Sequence, residues 1–172
     1  VYAQRQAINK EAFIGLLYVF GSSAVMLILS QSSHSSEHFF SLLATDILFV
    51  TTDTIIFTLI IYAIISIVII FILPKLTGIK REIIFFWLFA ITVTLSVKVA
   101  GVLVVFVILI APALISMLQN KINKIAFSTI FGSIMINLSL IISYYYDLPT
   151  GYAIVFFISL ISIIALLVKK QN

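Results

Sequence analysis

Cysteine is absent from the 172 residues, and charged side chains make up only 9% of them. The missing cysteine excludes a disulfide framework and a thiolate metal site. Since an average soluble domain carries about 25% charged residues, this chain has too few charges to cover a water-facing surface of its size. Its 63% hydrophobic residues and mean hydropathy of +1.29 instead indicate a membrane protein.

Signatures of several functional classes are also missing. Only ten Lys and Arg are present and they form no clustered stripe, so the net charge of +4 does not indicate nucleic-acid binding. The sequence contains no G-x-x-x-x-G-K-[ST] phosphate loop, no H-E-x-x-H and no G-x-S-x-G. We therefore expect neither an enzyme nor a bound cofactor, and any energy for the protein's work must come from another polypeptide.

Six apolar segments are suited to crossing a hydrocarbon core about 30 Å thick, which takes roughly 20 helical residues. They cover residues 12–30, 54–73, 83–97, 101–118, 125–145 and 152–168. The third and fourth form one tract too long for a single crossing, and Lys98 with Gly101 marks the expected turn. Residues 31–53 are interpreted as an extracytoplasmic loop with a short interfacial or re-entrant helix. The sequence thus predicts an all-α, polytopic transmembrane helical bundle in one domain, residues 1–172.

The cations predict that both ends of this chain are cytoplasmic, because short loops rich in Lys and Arg stay on that side. With six spans, the cytoplasmic cations are Arg5, Lys10, Lys75, Lys80, Arg81, Lys121, Lys124, Lys169 and Lys170. Lys98 is the exception at an outer helix end, where its aliphatic stem allows the ammonium to reach the headgroups.

Polar side chains inside the spans are few. Most are serines, which we interpret as helix-packing residues. Asn137 lies near the middle of the fifth span and is interpreted first as structural glue between helices, with a polar path as the alternative. Pro112 removes a backbone donor in the fourth span and predicts a kink near residues 108–112.

The outer loop holds the candidate metal contacts. His34 and His38 would share one face of a helix, and imidazole with carboxylate suits zinc or manganese. The candidates for transient metal contact are His34, Glu37, His38 and Asp46. A solvated polar loop is the alternative interpretation of this segment. Asp53 and Asp147 are weaker candidates, because interfacial solvation or capping of the adjacent helix explains each of them.

Four short motifs follow one another along nearly the whole chain. Residues 11–15 read Glu-Ala-Phe-Ile-Gly, and residues 42–50 read Leu-Leu-Ala-Thr-Asp-Ile-Leu-Phe-Val. Residues 96–113 hold Ser-x4-Gly-x-Leu-Val-Val and then Leu-Ile-Ala-Pro-Ala, and residues 143–151 hold Ser-x3-Asp-x-Pro-x-Gly. In this order the motifs resemble the permease subunits of metal-ion ABC transporters, the zinc, manganese and iron uptake family. The framework positions of these motifs are Gly15, Gly101, Pro112, Asp147, Pro149 and Gly151.

The chain departs from the family pattern at several places. Thr45 stands where the family has Gly, and Ser35 follows His34 where one subgroup has Gly. The cytoplasmic loop at residues 74–82 is shorter than in many members. Family permeases carry additional N-terminal spans, and this chain begins with Val without a signal segment. We therefore expect it to be the C-terminal two-thirds of a permease.

The resemblance implies an ATP-driven importer of divalent zinc, manganese or iron in a prokaryotic inner membrane. It implies a homodimer with a second permease chain, two cytoplasmic ATP-binding subunits and an extracytoplasmic solute-binding protein. We expect residues 1–11, with Arg5, Lys10 and Glu11, to pack into a groove of the ATP-binding subunit as a short coupling helix. The alternatives are a secondary carrier or channel without an ATPase partner, and a non-transporting membrane scaffold.

Overall fold

Six α-helices account for most of the residues that the computed structural model describes, which are 2–31, 50–117 and 123–170. They are α1 Tyr2–Ser30, α2 Thr52–Ile67, α3 Ile79–Ala100, α4 Val102–Met117, α5 Lys124–Tyr145 and α6 Thr150–Lys170. These three ranges contain no strand. The predicted all-α, polytopic membrane bundle is therefore confirmed, and the chain is an integral, multi-pass membrane protein.

Five helical stretches of the described chain are long and apolar enough to cross a membrane. They are Lys10–Ser30, Thr52–Lys75, Ile79–Ala100, Lys124–Tyr145 and Thr150–Val168. The fourth predicted span, residues 101–118, corresponds to the shorter apolar helix α4. Its 16 residues extend about 24 Å at 1.5 Å per residue, less than the hydrocarbon thickness of about 30 Å.

The buried core lies where α6 packs against α1, α4 and α5. On α4, Val104, Val107, Ala111 and Leu114 recur every three or four residues and so share one face of the helix. The other members of this apolar cluster are Leu16, Val19, Ile154, Val155, Ile158 and Ile163. We call α1, α4, α5 and α6 the four-helix core.

Helices α2 and α3 lie at the side of this core. In α3 no residue is buried, and in α2 only Thr58 and Ile65 are. Among the described helices, α2 packs mainly on α3, and α3 packs on α4. Large side chains such as Trp87 are exposed on this pair. Because lipid tails are as apolar as these side chains, such exposure carries no hydrophobic cost in a bilayer.

A single residue, Gly101, separates α3 from α4. Its φ is 86°, and its amide donates to the carbonyl of Val97 at 2.9 Å. Residues that carry a Cβ atom rarely adopt this backbone conformation, whereas glycine adopts it readily. The turn predicted at Gly101 is therefore confirmed. Lys98 lies exposed in the last turn of α3, where a positive charge interacts favourably with the helix dipole.

The end of α2 changes its hydrogen-bond pattern, which the sequence did not predict. The helix continues as a π-helical segment, Val68–Ile72, and then as a 3₁₀ turn, Leu73–Lys75. Pro74 cannot donate to the carbonyl of Ile70, and its ring clashes with that carbonyl in a regular helix. The amide of Leu73 bonds instead to the carbonyl of Val68, so the wider turn accommodates the proline.

Candidate functional site

The candidate metal contacts His34, Glu37, His38 and Asp46 lie outside the described residues. Within the described ranges, no group of three or more His, Asp or Glu side chains lies close enough to hold a metal ion. Asp53 is exposed in the first turn of α2, whose N-cap is Thr51. A carboxylate there is favoured by the positive end of the helix dipole, so its position has an explanation that needs no metal.

A cavity of about 480 Å³ opens where the turn at Gly101 meets the start of α6. Its described lining includes Lys98, Gly101, Gly151 and Tyr152, and the other residues are apolar. Among the described lining residues the charged one is Lys98, and its ammonium group repels a divalent cation. The described wall of the cavity therefore offers no ligand set for a metal ion.

Three buried serine hydroxyls in the four-helix core bond to their own helices. The Oγ atoms of Ser23 and Ser139 donate to the carbonyls of Phe20 and Met135 at 2.9 and 2.8 Å. Ser159 bonds in the same way to the carbonyl of Val155 at 2.6 Å. Among the described residues, no buried side-chain nitrogen or oxygen lacks a partner. These serines thus act as small packing residues, as the sequence predicted for most of the intramembrane serines.

Asn137 does not connect two of the described helices. Its Nδ2 donates to the carbonyl of Ser133 on the same helix at 2.8 Å, and the side chain is exposed on α5. The first interpretation of Asn137, structural glue between helices, is therefore wrong within this chain. Periodicity could not reveal this, because the direction in which α5 buries its residues depends on its neighbours.

Two of the framework positions bring helices close together. A Cβ atom on Gly15 would lie 3.1 Å from the Cζ of Phe106, where α1 meets α4. A Cβ atom on Gly132 would lie 3.3 Å from the Cγ of Pro112, where α4 meets α5. Sequence analysis missed Gly132 and Phe106. The sequence could have indicated Gly132, because glycine in a helix interior costs about 1 kcal/mol relative to alanine. A glycine at such a position therefore suggests close packing against another helix.

The Ser-x3-Asp-x-Pro-x-Gly motif builds the turn between α5 and α6. The amide of Leu148 donates to the carbonyl of Ser143 at 3.0 Å, and Asp147 has a φ of 50°. This bond over five residues and the left-handed residue before it form a Schellman motif. The Oγ of Ser143 donates to the carbonyl of Leu148 at 2.7 Å and to the Oγ1 of Thr150 at 3.2 Å. Pro149 is buried and its carbonyl accepts from the amide of Ala153.

This geometry changes the interpretation of Asp147. The residue is exposed and its backbone ends α5, whereas α6 begins three residues later at Thr150. Asp tolerates the left-handed conformation better than most residues. Asp147 therefore terminates the preceding helix and is not the N-cap of the following one.

The motifs at residues 11–15, 96–113 and 143–151, which lie within the described ranges, thus form turns and close contacts of a polytopic bundle, and the comparison with known families agrees with them. The sequence profile of the ABC 3 transport family matches residues 1–169. The chain belongs to the ABC 3 transport family. No curated protein and no solved structure gives a significant match to it. The protein is a membrane permease subunit of an ABC transporter, and the family implies separate subunits that bind ATP.

The predicted coupling segment of this ABC 3 permease is the beginning of α1. Tyr2–Ser30 is one continuous helix, and its candidate span begins at Lys10. Lys10 and Glu11 are exposed, and the backbone of Arg5 lies on the same helix. The backbone of this segment is therefore continuous with the candidate span, whereas the sequence suggested a short helix of its own. Its role in coupling stays a prediction.

Proposed function

We propose that this ABC 3 permease works in an ATP-driven importer of divalent transition-metal ions, zinc or manganese, with iron as a further candidate. The observation that carries the proposal is the match to the ABC 3 transport family over residues 1–169. The four ordered motifs, which resemble those of metal-ion permeases, narrow the substrate to this class. The sequence lacks the phosphate loop that ATP hydrolysis requires, so the energy comes from a partner.

The working assembly contains two permease chains, two cytoplasmic ATP-binding subunits and an extracytoplasmic solute-binding protein. We place it in the inner membrane of a prokaryotic cell, with both ends of this chain in the cytoplasm. The distribution of Lys and Arg supports this orientation. Alternation between inward-open and outward-open states moves the metal, and ATP binding shifts the population between these states.

The metal enters through the outer loop. His34, Glu37, His38 and Asp46 make transient contacts with it, and a negative mouth raises the local concentration of cations. Two observations support this assignment. The wall of the 480 Å³ cavity offers Lys98 but no carboxylate, and the described chain holds no other cluster of ligands.

Uptake of radiolabelled zinc and manganese tests the metal contacts. Cells that lack the gene receive the parent permease, His34→Ala, Asp46→Ala or the control Ser36→Ala, with expression matched by immunoblot. We expect slower uptake from the first two variants, because each loses a ligand, and parent-like uptake from the control. Unchanged kinetics in both ligand variants would remove these residues from the pathway. Uptake of neither metal by the parent would refute zinc and manganese as the substrates.

Coupling is tested at the cytoplasmic end of α1. In the reconstituted complex, Arg5→Glu with Lys10→Glu reverses two charges of the proposed contact with the ATP-binding subunit. We expect loss of the ATPase activity that accompanies transport, because the continuous helix Tyr2–Ser30 no longer docks. The control Lys124→Glu reverses a cation of another predicted cytoplasmic loop. Activity that survives the double reversal would show that α1 is not the coupling element.

Transport that persists after removal of the ATP-binding subunit would favour the secondary carrier or channel. No uptake of any divalent metal, with normal insertion and no bound ATPase, would favour the scaffold.

A further inference from the structure

A hydrogen bond between side chains joins α2 to α3. The hydroxyl of Tyr62 lies 2.7 Å from the Oγ of Ser96, and it also lies 3.3 Å from the carbonyl of Thr92, to which it donates. The neighbouring hydroxyls of Thr58 and Ser66 bond instead to carbonyls of α2 itself. Tyr62 is therefore the polar link between these two helices in the described chain. Ser96 is the first residue of the Ser-x4-Gly motif, whose glycine ends α3.

A cavity of about 270 Å³ lies beside this bond, between α2, α3 and α4. Tyr62 and Ser96 line it, with Val105 and Leu109 on the wall formed by α4. Helix α2 buries little of its own surface, since only Thr58 and Ile65 are buried. Because the cavity separates part of α2 from α4, close packing does not hold the helix there, and the polar link carries more of the attachment.

The far end of α2 is suited to bending. In nine residues the backbone bonding passes from the α-helical pattern at Val68 to a π-helical bond between Leu73 and Val68. It then passes to a 3₁₀ bond, in which the amide of Leu76 donates to the carbonyl of Leu73. Such interruptions in the helical ladder, with Pro74 among them, are where helices bend.

We propose that the Tyr62–Ser96 bond is a latch that holds α2 closed over the 270 Å³ cavity. When the bond breaks, α2 bends at residues 68–75 and exposes the wall of α4 at Val105, which is buried in the closed arrangement. Opening of this helix is a step of the transport cycle, and only that assignment rests on the proposed function. The latch itself is a property of the α2–α3 pair and is measured without any substrate.

The absence of native cysteine allows one reporter thiol to measure the opening. Val105→Cys is placed on the cavity wall, and the modification rate by a membrane-permeant maleimide is followed in native membranes that contain the complete complex. Tyr62→Phe removes only the hydroxyl of the latch. We expect modification about threefold faster, the change that corresponds to a hydrogen bond of about 0.6 kcal/mol between membrane helices. Ser96→Ala should accelerate it less, because Tyr62 can still donate to the carbonyl of Thr92.

Two control variants test whether removal of a hydroxyl elsewhere also changes the modification rate. Tyr144→Phe removes an exposed tyrosine hydroxyl from α5, and Ser66→Ala removes a serine hydroxyl that bonds within α2. Both should leave the modification rate at the parent value. The double variant Tyr62→Phe with Ser96→Ala should be no faster than Tyr62→Phe alone, because both changes remove the same bond.

Equal modification rates in the parent and the latch variants would overturn the proposal, and so would an acceleration shared by the controls. If Val105→Cys does not insert, Ile108→Cys, which is only half-buried but less exposed than Leu109, reports from the same wall and is judged by the same outcomes. Failure of the metal-uptake test would leave these rates unchanged, so failure of the proposed function and failure of the latch are distinguishable.

Discussion

Replacement of Gly132 by alanine tests the packing between α4 and α5. The added Cβ would lie 3.3 Å from the Cγ and 3.8 Å from the Cβ of Pro112, whereas carbon atoms pack best at about 3.5–4.0 Å. Pro112 is buried in the interior of α4. Its ring cannot turn away, because it is closed onto the backbone. The two helices must therefore move apart by a few tenths of an ångström.

Two opposing contributions set the change in the free energy of unfolding that Gly132→Ala causes. Alanine gains about 0.5–1 kcal/mol over glycine in a helix, and overpacking of a core costs about 1–3 kcal/mol. Gly21→Ala on α1 is the matched control, since nothing lies within 4 Å of its added Cβ. We expect the control to be stabilised, and Gly132→Ala to be less stable than the control by about 1–3 kcal/mol, the overpacking term.

Gly15→Ala tests whether the loss of stability depends on the distance to the neighbouring atom or on how easily that neighbour can move. Its added Cβ would lie closer to a neighbour, 3.1 Å from the Cζ of Phe106. Phe106 is 38% exposed, and the far end of its ring can shift. We therefore expect Gly15→Ala to fall between Gly21→Ala and Gly132→Ala, although its initial contact is the shortest.

Equilibrium unfolding in mixed micelles of increasing SDS fraction, followed by circular dichroism, measures all three variants. If Gly132→Ala were stabilised as much as Gly21→Ala, the close contact with Pro112 would not limit the packing. The double variant Gly132→Ala with Pro112→Ala adds a further check. Removal of the proline ring should recover part of the loss, because the two changes share one contact.

The same assay tests the turns. Gly101→Ala should lower the free energy of unfolding by about 1–3 kcal/mol, because a φ of 86° is strained for any residue with a side chain. No clash contributes, since nothing lies within 4 Å of the added Cβ. Asp147→Gly should retain or raise stability and Asp147→Val should lower it, because the φ of 50° suits glycine and is unfavourable for a β-branched residue. Ser143→Ala should cost about 1 kcal/mol, since its Oγ bonds across the turn, whereas Ser128→Ala on the exposed start of α5 should change stability little. Parent-like stability in Gly101→Ala or Ser143→Ala, or equal stability of the two Asp147 variants, would contradict these assignments.

The arrangement of the helices suggests how an ABC 3 permease transmits movement. α6 contacts α1, α4 and α5, and the Schellman turn at Asp147 ties α5 to α6. A displacement at the N-terminal end of α1 therefore acts on a closely packed unit. The pair α2 and α3 is joined to that unit through α4 and the one-residue turn at Gly101, which leaves it freer to move.

Prediction from sequence succeeded where a local property decides the structure. Long apolar runs had to be helices, because every backbone donor and acceptor needs an internal partner in lipid. Gly101 could be identified as a turn because the apolar tract at residues 83–118 is nearly twice as long as one crossing requires and must therefore contain a turn. The motif at residues 143–151 could be placed in a helical hairpin from its Pro and Gly.

Prediction from sequence failed where a neighbouring helix decides the structure. Asn137 looked like a link between helices, yet it is exposed and bonds to Ser133 on its own helix. Neither the partner of Tyr62 nor that of Gly132 could be foreseen, because each lies on another helix.

Composition by itself determined that this protein is a helical, multi-pass membrane protein, and the order of its motifs indicated an ABC permease. These properties depend on solvation of the backbone and on residue identity, which can be read along one chain. Only the tertiary structure decided which helices form the core, which glycines allow close contact, and that Tyr62 meets Ser96. Those contacts depend on how helices are rotated and inclined against one another, and packing between residues distant in sequence sets both.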